Sequence, residues 1–412
     1  MNKNLISEAK RCLQCKNPGC IKGCPINTSI KEMISMFLNG DIQDAGEMLF
    51  NNNPLSLVCS LVCPHEKQCE GSCVLGIKGE SVPISSIENY ISDYYLNFIK
   101  SNAVIDKNKK VAIIGSGPAG ITIAFILSSM GYDITVFEAH DKLGGVMRYG
   151  IPEFRLPKAI LDRIKDKMKE MSIKIRFNTL IGPVLTIDDL FRDGYKAIFI
   201  GTGVWKPNTL RIKGESLGNV HYAIDYLKNP DVYDLGNSLT IIGAGNVAMD
   251  TARTALRHGV RNVYIMYRSG YEDITADKHE IKYAEIDGVK FELYKSPIEI
   301  TDEGVIYVKT ERVIQENGEI RLDSIPGTEN LFPSDSVIIS VSQGPRDIIV
   351  SSTTGIKIDN KGLVSTDGSG RTTRKGVFAS GDVVTGAKTV VAAVKVSKEV
   401  AKAIDKYVSN EV

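Results

Sequence analysis

One pattern occurs twice and narrows the fold more than any other feature: an apolar strand running straight into a glycine loop and a helix. The first copy is Val111-Ala112-Ile113-Ile114 followed by Gly115-Ser116-Gly117-Pro118-Ala119-Gly120. A helix from Ile121 to Met130 stops at Gly131, and a second strand, Ile134-Thr135-Val136-Phe137, is closed by Glu138. The second copy is Leu239-Thr240-Ile241-Ile242, then Gly243-Ala244-Gly245-Asn246-Val247-Ala248, a helix ending at Gly259, and a strand over 263–267 closed by Arg268. In both, 16 residues separate the first glycine from the one that ends the helix, and the copies stand 128 residues apart. Two such βαβ units predict an α/β chain with two Rossmann-like dinucleotide-binding domains.

The setting between strand and helix gives the glycines their meaning. Gly115 permits the tight turn, Gly117 lets the backbone approach a pyrophosphate, and Gly120 lets the helix pack on the strand. The helix N-terminus that follows Pro118 and Ala119 of the loop then offers free N–H groups and partial positive charge to the phosphates. What closes the second strand separates the two copies. Glu138, 23 residues after Gly115, suits ribose hydroxyls and would repel a 2′-phosphate, which predicts FAD or NAD. In the second copy, whose loop is Gly243, Gly245, Asn246 and Val247, Ala248 replaces the third glycine. There Arg268 can pair with a 2′-phosphate, which favours NADP(H).

The eight cysteines stand at 12, 15, 20, 24, 59, 63, 69 and 73, and the 339 residues after Cys73 hold none. In a reducing compartment such a cluster reads as metal-binding rather than disulfide-bonded. The runs are Cys12-x2-Cys15-x4-Cys20-x3-Cys24-Pro25 and Cys59-x3-Cys63-x5-Cys69-x3-Cys73, with Pro64 after Cys63. The first is close to the bacterial ferredoxin run, whose fourth thiolate serves the other cluster, so two [4Fe–4S] clusters sharing both runs are expected. Structural zinc favours paired knuckles instead. A redox dithiol beside a flavin has no cysteine to draw on in either nucleotide domain, which argues against disulfide reduction.

Composition adds exclusions. Fifty Lys and Arg against 49 Asp and Glu leave a net charge of +1, too little for a global field toward nucleic acid or an acidic membrane. No apolar run approaches the ~18 residues of a membrane span, and the N-terminal residues lack a signal-peptide core, so a cytoplasmic protein is expected. None of the histidines at 65, 140, 221, 258 and 279 has metal or triad spacing; His65, after Cys63-Pro64, reads as a neighbour of ligands. Helical periodicity predicts helices over Ile30–Leu38, ended by Gly40, and from Ser85 to Lys100, with a linker over 101–110. A strand at 337–339 and a last helix from Thr389 to Tyr407 complete the chain.

These motifs, with Gly144-Gly145-Val146-Met147-Arg148-Tyr149-Gly150-Ile151-Pro152-Glu153-Phe154-Arg155-Leu156-Pro157, Gly201-Thr202-Gly203 and Gly381-Asp382 in this order, resemble the family of the small subunit of NADPH-dependent glutamate synthase over essentially the whole length. The N-terminal part of dihydropyrimidine dehydrogenase and the large subunit of NADH-dependent ferredoxin:NADP oxidoreductase are similar to it as well. The resemblance implies a helical domain with two [4Fe–4S] clusters (1–105), an FAD domain in two parts (106–232 and 349–412) and an NAD(P)H domain between them (233–348). It implies one cluster on Cys12, Cys15, Cys20 and Cys73, and the other on Cys24, Cys63, Cys69 and a carboxylate that aligns with Glu88. Cys59 is then left over, although on spacing alone it could replace Glu88. FAD would meet the first glycine loop, Glu138, Gly145, Arg155, Gly381, Asp382, Thr389 and Val390. Ser269 departs from the family, where a second basic residue is common, so NADH is expected beside NADPH.

The implied activity is hydride transfer from NAD(P)H to FAD, then single electrons through the clusters to a partner protein that carries the terminal acceptor. No side-chain acid or base is needed, so no catalytic residue is assigned. The partner expected is a glutamate synthase large subunit or a ferredoxin-linked or other flavoprotein. A non-catalytic redox-sensing module is the rival from a different class.

Overall fold

The computed structural model describes residues 3–98, 108–315 and 320–410. The first part is helical. α1 (Ile30–Asn39) buries Ile30, Met33, Ile34 and Phe37 at three- and four-residue spacing, and stops at Gly40, whose φ of 90° is left-handed. α2 (Ile42–Asn52) and α3 (Ser56–Val62) lead to α4 (Ile84–Leu96). α4 buries Ile84, Ile87, Ile91 and Leu96, and Glu88 and Ser92 go under with them. The helix expected to reach Lys100 ends at Leu96; positions 99–107, with most of the expected linker, lie outside the described residues, and Lys110 already opens a strand.

The chain then runs through β1 (Lys110–Ile114), α5 (Pro118–Ser129), β2 (Asp133–Phe137), α6 (Lys158–Glu170), β3 (Lys174–Arg176) and β4 (Tyr195–Ile200). Next come β5 (Val220–Tyr222), β6 (Ser238–Ile242), α7 (Asn246–Arg257), β7 (Asn262–Tyr267), α8 (Lys278–Asp287) and β8 (Lys290–Leu293). An antiparallel group follows, β9 (Lys295–Thr301), β10 (Gly304–Ile314), β11 (Ile320–Ser324) and β12 (Asn330–Pro333), before β13 (Ser336–Ile339), β14 (Val377–Ala379) and α9 (Val390–Asn410).

Two compact units result, described by the residues within Met1–Arg148, Glu153–Val204 and Pro345–Val412, and within Tyr149–Pro152 and Trp205–Gly344. The first holds the helical part and a five-stranded sheet in the order β14-β4-β1-β2-β3, parallel throughout. The second has β5-β13-β6-β7-β8, also parallel. Each glycine loop thus leaves the central strand of its sheet, which is buried along Val111–Ile114 in one and Leu239–Ile242 in the other. The second unit is inserted in the first, since the chain returns at Pro345 to add β14 as an edge strand. Residues 205–232, expected with the FAD portion, belong to the inserted unit instead, because β5 pairs with β13 in its sheet.

Candidate functional site

Four cysteines line one cavity: Cys12, Cys15, Cys20 and Cys73, with Leu13, Ile30, Ile34 and Val74 as apolar walls. Glycines let the two cysteine runs meet there. A Cβ on Gly19 would stand 2.4 Å from the carbonyl of Ser72, and one on Gly23 2.3 Å from its hydroxyl, so the segments flanking Cys20 and Cys73 touch backbone to backbone. Burial pushes the Cys20 thiol up, and the neighbouring Cys73 and Cys12 push the same way. All eight cysteines are free thiols.

A second group gathers under α4. Cys59 lies buried on α3, and Cys63 caps that helix one turn later. The Cys59 side chain and burial drive the Cys63 thiol well up, and Glu88 and Cys69 add to it. Burial also drives Cys69 up strongly, followed by the charges of Glu88, Glu70 and Cys24. Glu88 itself is 9% exposed, and burial, then Glu70, lifts its carboxyl to about 8. The structure therefore brings Cys24, Cys63, Cys69 and Glu88 together and sets Cys59 against Cys63. As thiolates and a carboxylate these groups would repel one another in a buried space, so they stay protonated unless a positively charged metal centre holds them deprotonated. Among the described residues no three His, Cys, Asp or Glu groups close to the separation that a single ion needs. Ligands that each bind a different iron of a cluster stand further apart.

The first glycine loop is a cradle. Gly115 has φ 97°, and a Cβ there would meet the Gly201 carbonyl at 2.6 Å; one on Gly120 would meet the Gly115 carbonyl at 2.0 Å. A Cβ on Gly117, in contrast, finds nothing nearer than 4.0 Å. Space is kept open at the one glycine whose backbone would face a pyrophosphate. Pro118 opens α5 at its first position. Gly145 lies against Gly117 and Gly381 against Ala119, so three segments distant in sequence converge on this helix start. Asp382 accepts the Lys388 N–H at 3.1 Å, and Thr389 caps α9, its hydroxyl accepting the Ala392 N–H, just before buried Val390. Arg155 is half-buried in the turn before α6.

Glu138 is 5% exposed at the end of β2. Its Oε2 accepts from the Ser116 N–H at 2.9 Å and hydroxyl at 2.6 Å. Its Oε1 accepts from the His140 N–H at 2.8 Å and stands 3.0 Å from His140 Nδ1. Burial pushes this carboxyl up, but the bonds from His140 and Ser116 outweigh it and hold it below the ordinary range. It is a pre-formed anion at a strand end.

In the second unit Gly243 has φ 119° against the Ser340 carbonyl, whereas a Cβ on Gly245 would meet only the Thr275 hydroxyl, at 3.7 Å. Here too room is left at the second glycine. Asn246 exchanges two hydrogen bonds of 2.8 Å with Asp277, which ties the start of α7 to that of α8. Val247 is half-buried and Ala248 fully buried, so no third glycine is needed for α7 to reach its sheet. Arg268 is exposed just past β7. Ser269 points inward, buried, and donates its hydroxyl to Asp273, so the position where a second basic side chain would stand is turned away from solvent.

Sequence reasoning passed over Ser116, His140, Glu70 and Thr28. The first three carried no motif of their own, although Ser116 sits inside the glycine loop and His140 two residues past Glu138. Thr28, four residues after Cys24, accepts a hydrogen bond from its thiol at 3.4 Å.

Residues 1–98 match the family described as dihydropyrimidine dehydrogenase domain II, 4Fe-4S cluster. Residues 72–189 and 109–397 match the pyridine nucleotide-disulphide oxidoreductases. The chain is 33% identical to the glutamate synthase [NADPH] small chain of Halomonas elongata, over 98% of this chain and 91% of that one. It is 31% identical to the NAD-dependent dihydropyrimidine dehydrogenase subunit PreT of Salmonella typhimurium, over 98% and 94%. In fold it resembles FprA of Mycobacterium tuberculosis in complex with NADPH, at a TM-score of 0.63 and 19% identity over 74% of this chain and 85% of that one.

Proposed function

The chain belongs to the pyridine nucleotide-disulphide oxidoreductases and, among them, to the family of the glutamate synthase small chain, and from that premise we propose that it is the electron-input subunit of a larger complex. Bound FAD would accept a hydride from NAD(P)H, and two [4Fe–4S] clusters would pass the electrons on singly. The observation that carries this reading is the sharing of one compact unit by the cysteine groups and the first glycine cradle. Phe50 on α2 packs edge-on against Phe125 on α5 with centroids 5.2 Å apart.

Each residue has a part in holding and orienting. Cys12, Cys15, Cys20 and Cys73 hold one cluster in the cavity they line. Cys24, Cys63, Cys69 and Glu88 hold the other, with Cys59 packed behind Cys63. Gly115, Gly117 and Gly120 with Pro118 and Ala119 seat the FAD pyrophosphate on the N-terminus of α5, and Glu138 takes the ribose hydroxyls. Gly145, Arg155, Gly381, Asp382, Thr389 and Val390 close around the rest of that cofactor. Gly243, Gly245, Asn246, Val247 and Ala248 seat the nicotinamide dinucleotide. Arg268 reaches its 2′-phosphate alone, so NADPH and NADH are both accepted, with a modest preference for NADPH.

The partner we propose is a large subunit like that of glutamate synthase, which holds the terminal acceptor, and the site of action is the cytoplasm. The likeness to the Salmonella subunit supports a second reading, in which the partner is another flavin enzyme. Anaerobically purified chain tests the first claim. It should be brown-yellow, carry FAD, iron and sulfide, and reduce a one-electron dye with NADPH or NADH; a colourless protein without such activity would refute it.

A further inference from the structure

A line of polar side chains crosses from α9 to one of the cysteines. Lys398 donates from Nζ to Asn52 Oδ1 at 2.6 Å. Asn52 at the end of α2 donates from Nδ2 to Thr28 Oγ1 at 3.2 Å and to the Ile26 carbonyl at 3.5 Å. Thr28, 4% exposed, lies 3.4 Å from Cys24 Sγ. The cation at one end and the carbonyl at the other fix which way the Asn52 amide faces, since a flipped amide would point its NH2 at an ammonium. As a thiol, Cys24 donates to Thr28. As an iron-bound thiolate it has no proton to give, and the Thr28 oxygen is already serving Asn52 as acceptor. The Thr28 hydroxyl proton is then available for the sulfur, and every bond in the line points from Lys398 toward Cys24.

We propose that Lys398, acting through Asn52 and Thr28 as a positioning residue, raises the reduction potential of the cluster that Cys24 ligates. This rests on the reading of Cys24 as a cluster ligand. Hydrogen bonds to a cluster's sulfurs set its potential, and a chain of donors aligned behind a cation polarises each member in turn. The added electron is stabilised by a proton drawn closer to the sulfur and by the positive charge behind it, and no atom is exchanged. The placement gives this a use. α9 starts at Val390, beside the Gly381–Asp382 segment assigned to the flavin, and Lys398 stands eight residues on, about 12 Å along a helix rising 1.5 Å per residue. One rigid element therefore joins the cofactor that supplies electrons to the charge that makes a cluster ready to take them.

Reductive titration followed by electron paramagnetic resonance tests this on holoprotein whose iron, sulfide and FAD contents have been measured first. The cluster concerned is the one whose signal Cys24→Ala removes or alters. Thr28→Val and Lys398→Met should each move its midpoint to lower potential, leave the other cluster and the flavin where they were, and fail to add in the double variant. Thr28→Ser and Lys398→Arg should restore it. Unchanged midpoints in both variants at full iron loading would overturn the proposal, as would a shift with Lys398→Met but none with Thr28→Val. Protein that holds no iron or sulfide would overturn the parent reading as well, which the prior analysis distinguishes.

Discussion

Glu88 is a carboxylate on a face of α4 that is otherwise apolar or weakly polar, and such a residue is costly unless something positive sits beside it. Burial and Glu70 raise its carboxyl to about 8, and in the proposed reading a cluster would supply the positive charge. Glu88→Ala should alter one cluster signal while Cys59→Ala leaves both intact, measured by electron paramagnetic resonance of the reduced protein; the opposite pattern would exchange their roles. Asp382 makes a pH prediction. Burial lifts its carboxyl from 3.8 to about 6, against the pull of the Lys388 N–H and ammonium. Between those values the folded chain holds a proton that the unfolded chain has released, so stability falls as pH rises through that window, by about 3 kcal/mol. In denaturant unfolding of FAD-free protein, the gap between wild type and Asp382→Asn should change by that order from about pH 4 to about pH 6.5; a constant gap would count against it. Arg268→Ala should raise KM for NADPH about ten- to a hundredfold, the worth of a charged hydrogen bond, and hardly affect NADH. Equal effects on the two would remove the phosphate assignment.

The first strand–loop–helix unit sets two of its glycines in sharp contrast. Gly120→Ala forces a Cβ to within 2.0 Å of the Gly115 carbonyl, so α5 must lift off β1 at about 1–3 kcal/mol. Gly117→Ala meets only the Gly201 carbonyl, at an unstrained 4.0 Å, and its backbone at φ −74° suits alanine. It should fold with wild-type stability and lose FAD, as thermal unfolding and flavin fluorescence would show. If it kept the flavin, the open space would not be the pyrophosphate seat. These units were legible in the sequence because a buried parallel strand reads as a continuous apolar run and its loop needs glycines; the strands at 111–114 and 239–242 fall within one residue of their observed bounds. The antiparallel group β9–β12 left no such mark. Its strands alternate in burial irregularly, with a register shift between Pro297 and Glu299, and no motif accompanies them. α4 was legible as a helix but ends four residues before its pattern suggested, because Tyr94 and Phe98 continue the apolar spacing while lying exposed and stacked on each other at 4.6 Å.

Across the whole chain, what spacing alone left open was which thiols share a centre. Cys73 is 53 residues from Cys20, and their meeting depends on Gly19, Gly23 and Ser72 packing at a crossing that no local pattern announces. Cys59 and Glu88 were rivals in the sequence and remain neighbours in the fold, both against Cys63. The inserted second unit was foreseen, but its start at Trp205 was not, because the short strand β5 lies before the glycine loop that marks the rest. The organisation makes one demand of the molecule: electrons that enter at the flavin must appear on the clusters. Anaerobic mixing of fully loaded protein with NADPH or NADH, followed by optical and paramagnetic spectra, measures it directly. The flavin absorbance should bleach and a reduced [4Fe–4S] signal should follow. A flavin that stays reduced beside clusters that stay oxidised would contradict the account.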